Sequence, residues 1–555
     1  MCPAAPYLAE GRTSVKHMGF LEEKLSHPNQ ARLVLDGALV GLVGGGVVTL
    51  YRLALSQAEK LLRAITGQAA GHPLMVALWF LVLAAVLIVV CKLMLWEPYT
   101  QGSGIPQTDA EAIERIDMPW HRVMGAKFVE GTLCAFAGLS LGREGPSVML
   151  GGMSGKAVSK ALHKDRDHES LFVTCGAAAG MAAAFHAPLT GVLFAVEEIH
   201  KVFSASLIVT AMASAVVSDF FVSQVLGVKP TLNFGLVSNL PHMSYPLIIV
   251  MGIYCGLLGA LHNAGMFGCQ KLYDKIGRFV PYSRLAIPFM LSGIVAFTLP
   301  DLMCGGDAII DQLMNPQALP VTFVIFLLIG KYLFTTICFA SGAPGGTLFP
   351  LVVMGSLAGA LFGYGANALL GTSELYMMNF IYFGIAGLFA GVVRAPVTAI
   401  VLVFELTGSL DALLSVSIVS MIAYVTANLL NVDPFYEHLL HKLLGGLAPE
   451  QELQQSHGVA LRTYHVSLAS MVENRTIAEI PWPKGCLIVL IERAGGRITP
   501  HGSTRLEPTD VITVILPTAS LVENDREIRV LCGPPENRPD KPDGDSGLKT
   551  SLTSS

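Results

Sequence analysis

The chain is 555 residues long, 52% hydrophobic and only 14% charged, with a mean hydropathy of +0.57. That balance excludes an ordinary soluble enzyme and points to an all-α polytopic membrane protein. A net charge of −5, from 36 basic and 41 acidic residues, gives no basis for a nucleic-acid polymer as partner, and the ten scattered cysteines form no metal-ligand or disulfide pattern.

Residues 1–30 carry Glu22, Glu23 and Lys24 without the apolar core of a signal peptide, so they read as a cytosolic amphipathic segment. Residues 31–65, through Gly44-Gly45-Gly46, are long enough to span a bilayer with tilt, and residues 73–96 form a second span. Gly102-Ser103-Gly104-Ile105-Pro106 then forms a glycine-rich turn feeding a short helix. Its Ser103 hydroxyl either faces an anion at that helix N-terminus or serves only as the N-cap.

Leu141 to Val148 places an Arg-Glu pair between glycines inside apolar territory, where charge is expensive and functional by default. Pro146 suits the first turn of a helix, so Glu144 is expected just before a helix N-terminus, which attracts anions. An ionised Glu144 can occupy that position as resident anion and release it when protonated; equally, it can be an acidic first-turn residue that stabilises its own helix. The charged loop His163–Glu169 reads as solvated. Gly176–Phe185 is rich in small residues suited to close helix packing, His186 reads as a packing residue, and Pro188 restarts a helix that ends in Glu197-Glu198.

The chain then repeats itself. Gly384-Ile385-Ala386-Gly387 through Arg394-Ala395-Pro396-Val397-Thr398 to Glu405 follows the pattern of Gly176 to Glu197, with Pro396 lying 208 positions after Pro188. Ser341 to Pro350 corresponds to Ser140 to Leu150 at an offset of about 200. Two halves of broken helices predict a transporter with its site at the repeat interface near the midplane. Further spans are expected at 245–275, 283–300, 318–340, 349–369, 377–390 and 397–430, followed by a short helix opened by Pro434 and carrying Tyr436. That tyrosine either directs its hydroxyl to an anion or belongs to an interfacial belt.

Gly102 to Pro106, Gly142-Arg143-Glu144-Gly145-Pro146, Ser341 to Gly346 and the closing Tyr436, in that order, resemble the CLC family of chloride channels and proton-coupled chloride transporters. The resemblance covers about residues 30–445 and implies an inverted-repeat fold with broken helices, in two repeats of about 31–230 and 243–445. It also implies a homodimer with one ion pathway per subunit. Carried over, Ser103 and Tyr436 hold the central chloride with their hydroxyls, Thr347 and Leu348 with backbone N–H groups, and Glu144 is the external gate. Glu198 falls on the inner glutamate that separates exchangers from channels, which implies Cl−/H+ antiport with chloride and protons as cargo and no cofactor. The Ser103 motif resembles the chloride-selective form. One departure is Gly346-Thr347-Leu348-Phe349-Pro350, which has leucine where many members carry an aromatic.

After a polar connector at 446–457, a small α/β domain is expected at 458–532, with strands in 460–466, 476–480, 486–493 and 511–516. Its Pro481–Leu506 stretch resembles TrkA-C domains, which implies a cytosolic module that dimerises and either binds a small regulatory ligand or serves assembly alone. Residues 533–555 have the composition of a disordered tail. The combined expectation is a multi-pass antiporter of a prokaryotic cytoplasmic membrane, with its N-terminus and C-terminal domain in the cytosol. A passive chloride channel on the same fold, and more remotely an intramembrane hydrolase using paired carboxylates, are the competing functions.

Overall fold

The computed structural model describes residues 30–201, 203–227, 245–276, 283–313, 319–373, 376–408, 412–445, 459–493, 496–517 and 521–533. The expected N-terminal segment up to residue 29, the expected connector at 446–457 and the tail from residue 534 lie outside the described residues. The chain divides into two compact units, Met1–Leu443 and Leu444–Ser555.

The first unit is helical. Its first repeat contains α1 (Gln30–Ala69), α2 (Pro73–Trp96), α3 (Ile105–Ala112), α4 (Trp120–Phe136), α5 (Glu144–Ala161), α6 (Arg166–Phe185), α7 (Pro188–Phe194) and α8 (Ala205–Leu226). The second contains α9 (Tyr245–Ile276), α10 (Ala286–Thr298), α11 (Asp307–Leu313), α12 (Val321–Ala340), α13 (Leu348–Leu370), α14 (Met377–Val393), α15 (Pro396–Thr407), α16 (Leu413–Leu429) and α17 (Phe435–Leu443). Six of the described helices are long and apolar enough to cross a membrane. The expected single span at 397–430 is instead two helices, α15 and α16. Helix α15 stops where Gly408 turns left-handed at φ 68°, a conformation that glycine adopts without steric cost.

Small residues set the helix crossings, because in lipid it is close backbone approach that holds helices together. On α1 the contact face is Gly37, Gly41 and Gly45, which lie against Thr210, Ser214 and Ser218 of α8. The α5–α6 crossing brings Gly155 onto the Phe172 carbonyl and Gly151 against Gly176; in the second repeat α13 and α14 meet in the same way, with Gly384 against Gly355 and Gly359 against Phe380.

The loop at 163–169 is not simply solvated. Asp165 caps α6 by accepting the His168 N–H at 3.2 Å, and Glu169 is buried between Lys156 and Lys160, 3.6 and 2.7 Å away. Lys156 also binds Glu111 and donates to the Met118 carbonyl at 2.8 Å, so a buried ammonium fills the acidic group Glu111, Asp117 and Glu169. A buried lysine with these partners has its charge compensated.

The second unit is a four-stranded antiparallel sheet in the order β1 (Val459–His465), β4 (Val511–Pro517), β2 (Leu487–Arg493), β3 (Gly496–Ile498). Helix α18 (Leu521–Cys532), which the strand pattern did not anticipate, packs Ile528 and Cys532 into the core with Tyr464, Ile488, Ile491, Ile512, Val514 and Leu516. The expected strand at 476–480 is a single helical turn, Ile477–Glu479, closed by a Thr476–Glu479 capping box. Arg493 grips both carboxylate oxygens of buried Asp510 at 2.8 Å, a forked pairing that fixes the end of β2 to the start of β4.

Candidate functional site

Three glycine-rich loops meet where the repeats meet. Gly102 and Gly104 adopt φ 69° and 93°, which turns the chain tightly into α3. Backbone hydrogen bonds then stitch this loop to the second repeat: Gly102 donates to the Gly342 carbonyl at 3.1 Å, and Gly345 donates to that of Gly102 at 3.0 Å. Gly142 and Gly346 exchange a reciprocal pair at 2.7 and 2.8 Å. At Gly145 an added Cβ would lie 2.7 Å from the Ser103 carbonyl oxygen, so glycine is required for the first two motifs to touch.

A buried lysine anchors each repeat. Lys127 of α4 donates to the carbonyls of Thr100 and Gly102 at 2.7 and 2.6 Å; Lys331 of α12 donates to those of Leu302 and Cys304 at 3.0 and 2.9 Å. Each ammonium thus holds the loop that precedes a short helix, α3 or α11. These lysines, absent from the sequence-derived site, were detectable there as isolated cations within apolar runs.

Glu144 is fully buried as the first residue of α5, not just before it. Its Oε2 accepts the N–H of Phe349, in the first turn of α13, at 3.2 Å, while Oε1 lies 3.7 Å from Nε of Arg143. The carboxylate therefore lies against a first-turn N–H of the opposite repeat, a position suited to negative charge. The Arg143 guanidinium covers the Phe349 ring at 5.4 Å, and a small cavity of about 30 Å³ is lined by Tyr51, Glu59, Arg143, Asp307 and Phe349 together with Glu144 itself. Leu348 and Phe349 are both buried. The aromatic of the third motif stands one position later than expected and packs against Phe185 at 6.4 Å.

In the first loop, the Ser103 Oγ accepts the Ile105 N–H at 3.2 Å, which leaves its own proton free to donate. The buried Tyr436 hydroxyl reaches towards Thr347 without completing a hydrogen bond of good geometry. Its ring stands edge-on to Phe194 and Phe435, at 6.3 and 5.1 Å, and lies within electrostatic reach of both Glu144 and Glu198.

Glu198 is buried in the wide π turn Ala195–His200 that continues α7, among Asp109, Glu197, Lys201 and Glu437. The sequence reading did not single out Asp109; only the folded α3 brings it near. Glu197 faces elsewhere. Its carboxylate accepts the N–H groups of Val397 and Thr398 and the Thr398 hydroxyl at 3.3, 2.8 and 2.7 Å, and so caps α15. Glu405, at the end of α15, does the same for α7 through Leu189, Thr190 and the Thr190 hydroxyl at 2.8, 2.7 and 2.6 Å.

A family model described as Voltage gated chloride channel matches residues 85–428, and a TrkA-C domain model matches 462–523. The chain is 31% identical over 436 residues to the H(+)/Cl(−) exchange transporter ClcA of Citrobacter koseri, covering 77% of this chain and 92% of that protein. It is also 31% identical over 420 residues to the ClcA of Vibrio parahaemolyticus, covering 74% and 90%. Among solved structures, a slow cyanobacterial Cl−/H+ antiporter superposes with a TM-score of 0.70 at 26% identity, over 75% of this chain and 99% of that one. A eukaryotic CLC transporter shares the fold at a TM-score of 0.61 and 23% identity, over 75% and 74%. The chain is a multi-pass membrane protein of the voltage gated chloride channel family, joined to a C-terminal TrkA-C domain.

Proposed function

We propose that the protein exchanges chloride for protons across the cytoplasmic membrane as a homodimer, each subunit carrying its own pathway. The observation that carries this is the buried Glu144 carboxylate bound to the Phe349 N–H at the start of α13. An ionised carboxylate there competes with chloride for one cationic position; protonation removes its charge and yields the position to the anion. Chloride is held deeper by the Ser103 and Tyr436 hydroxyls and by the N–H groups of Thr347 and Leu348. The incompletely bonded Tyr436 hydroxyl supports that assignment, since a buried donor requires an acceptor. Glu198 passes protons between the cytosol and the site, and the TrkA-C domain takes a small regulatory ligand. The named relatives, which are exchange transporters rather than enzymes, support the same function.

The test is proton uptake into liposomes driven only by a chloride gradient, with the voltage clamped by an ionophore. Uphill proton movement is expected. Glu144→Gln is expected to abolish it while chloride flux persists, and Glu198→Gln to slow it with chloride flux intact. Chloride flux without proton movement in the native protein would make this a passive channel instead.

A further inference from the structure

Between α6 and α7 the chain reverses at His186-Ala187-Pro188, where His186 holds a left-handed backbone at φ 56°. That conformation is uncommon outside glycine. Both ring nitrogens of His186 are engaged: Nε2 lies 3.0 Å from Nη1 of Arg52 in α1, and Nδ1 lies 3.2 Å from Oδ1 of Asp219 in α8. Arg52 Nη1 also donates to the Ala183 carbonyl near the end of α6 at 2.6 Å. A guanidinium only donates and an ionised carboxylate only accepts. These partners therefore select a neutral imidazole that carries its hydrogen on Nδ1, donates to Asp219 and accepts from Arg52 on Nε2. A second proton, placed on Nε2, meets N–H groups and a like charge. With side-chain exposures of 13% and 22%, His186 and Asp219 remain open to water.

Glu405 of α15 caps α7 through Leu189 and Thr190 and lies within electrostatic reach of Asp219. Arg52 lies within electrostatic reach of Arg143, Glu144 and Asp307, and its chain neighbour Tyr51 lines the cavity at Glu144.

We propose that His186 is a regulatory proton-binding site outside the transport path, whose protonation breaks its contact with Arg52 and adds positive charge beside the Glu144 cavity. The Asp219 pair survives and strengthens, because it then joins opposite charges. The Arg52 pair cannot, and Arg52 keeps only the Ala183 carbonyl. Added positive charge near an anion pathway favours the anion. That added charge is expected to tighten the apparent chloride affinity by about threefold, the size of a partly screened unit charge. The effect on flux rests on the proposed antiport, whereas the proton site rests on the His186 contacts alone.

Two measurements separate them. In full-length protein labelled with 15N-histidine, NMR at pH 8 should show a neutral ring protonated at Nδ1 that becomes imidazolium on acidification and is missing from His186→Asn. Asparagine tolerates a left-handed backbone, so this variant preserves the turn. A neutral His186 ring protonated at Nε2 would overturn the proposal. In liposomes, where Glu144 itself makes chloride binding depend on pH, the fall in the chloride concentration giving half-maximal flux between pH 8 and pH 5 should be about threefold larger in the native protein than in His186→Asn and Arg52→Met. A His186→Asn protein with the native pH dependence overturns the link to the anion pathway. Absence of chloride flux from the native protein, with the NMR titration intact, overturns the proposed function and leaves the proton site standing.

Discussion

The reversal at His186 in the first repeat and the one at Arg394 in the second, 208 positions later, use one backbone device with two chemistries. Both residues turn left-handed, at φ 56° and 71°, both precede Ala-Pro-x-Thr, and both open helices capped by a glutamate from the other repeat. Among the described residues Arg394 donates to carbonyls, including those of Ala427 and Val432 at 2.7 and 3.1 Å. His186 stands between a cation and an anion and can gain a proton. The two repeats share the geometry of the turn, with an imidazole at one and a guanidinium at the other.

The comparison can be broken hardest at the helix crossings. Gly155→Val and Gly384→Val each drive a side chain into a facing carbonyl, of Phe172 and Gly355, and each is expected to cost about 3 kcal/mol or more. Size-exclusion chromatography would show the loss of monodisperse protein in both, and a tolerant second repeat would mean that the crossings are not equivalent. Next come the buried lysines. Lys127→Met and Lys331→Met each orphan two carbonyls and should lower stability by about 1–3 kcal/mol per unpaired group. Only Lys127→Met should also weaken chloride binding by calorimetry, because only its loop carries Ser103. The smallest effects belong to the reciprocal caps: Glu197→Ala and Glu405→Ala should each cost about 1–2 kcal/mol, read as lowered melting temperatures. If the proton-transfer role of Glu198 is right, Glu197→Ala should in addition slow proton movement, since Glu197 anchors the π turn that carries Glu198.

Much of this was legible in the chain. The glycine motifs, the Ala-Pro-x-Thr repeat and the two acidic positions are local patterns, and local patterns survive in sequence. The glutamate caps were not legible. An offset of 208 marks Glu197 and Glu405 as equivalents, but that each serves the other's helix follows only from the two repeats packing face to face. Asp109 escaped notice for the same reason, since its nearness to Glu198 depends on where α3 comes to rest. Glu169 was misread as solvated because a charged run looks like a loop until a buried Lys156 is placed beside it. The span expected at 397–430 was split by a single glycine conformation, which hydropathy does not register.

The paired bonds between Gly142 and Gly346 join residues separated by about two hundred positions of chain. During synthesis the first repeat emerges before the second, so the Glu144 loop lacks its Gly346 and Phe349 partners until the second repeat follows. The junction of the three loops is therefore among the last parts of the protein to be completed, and a chain truncated before Gly346 carries half of each motif pair.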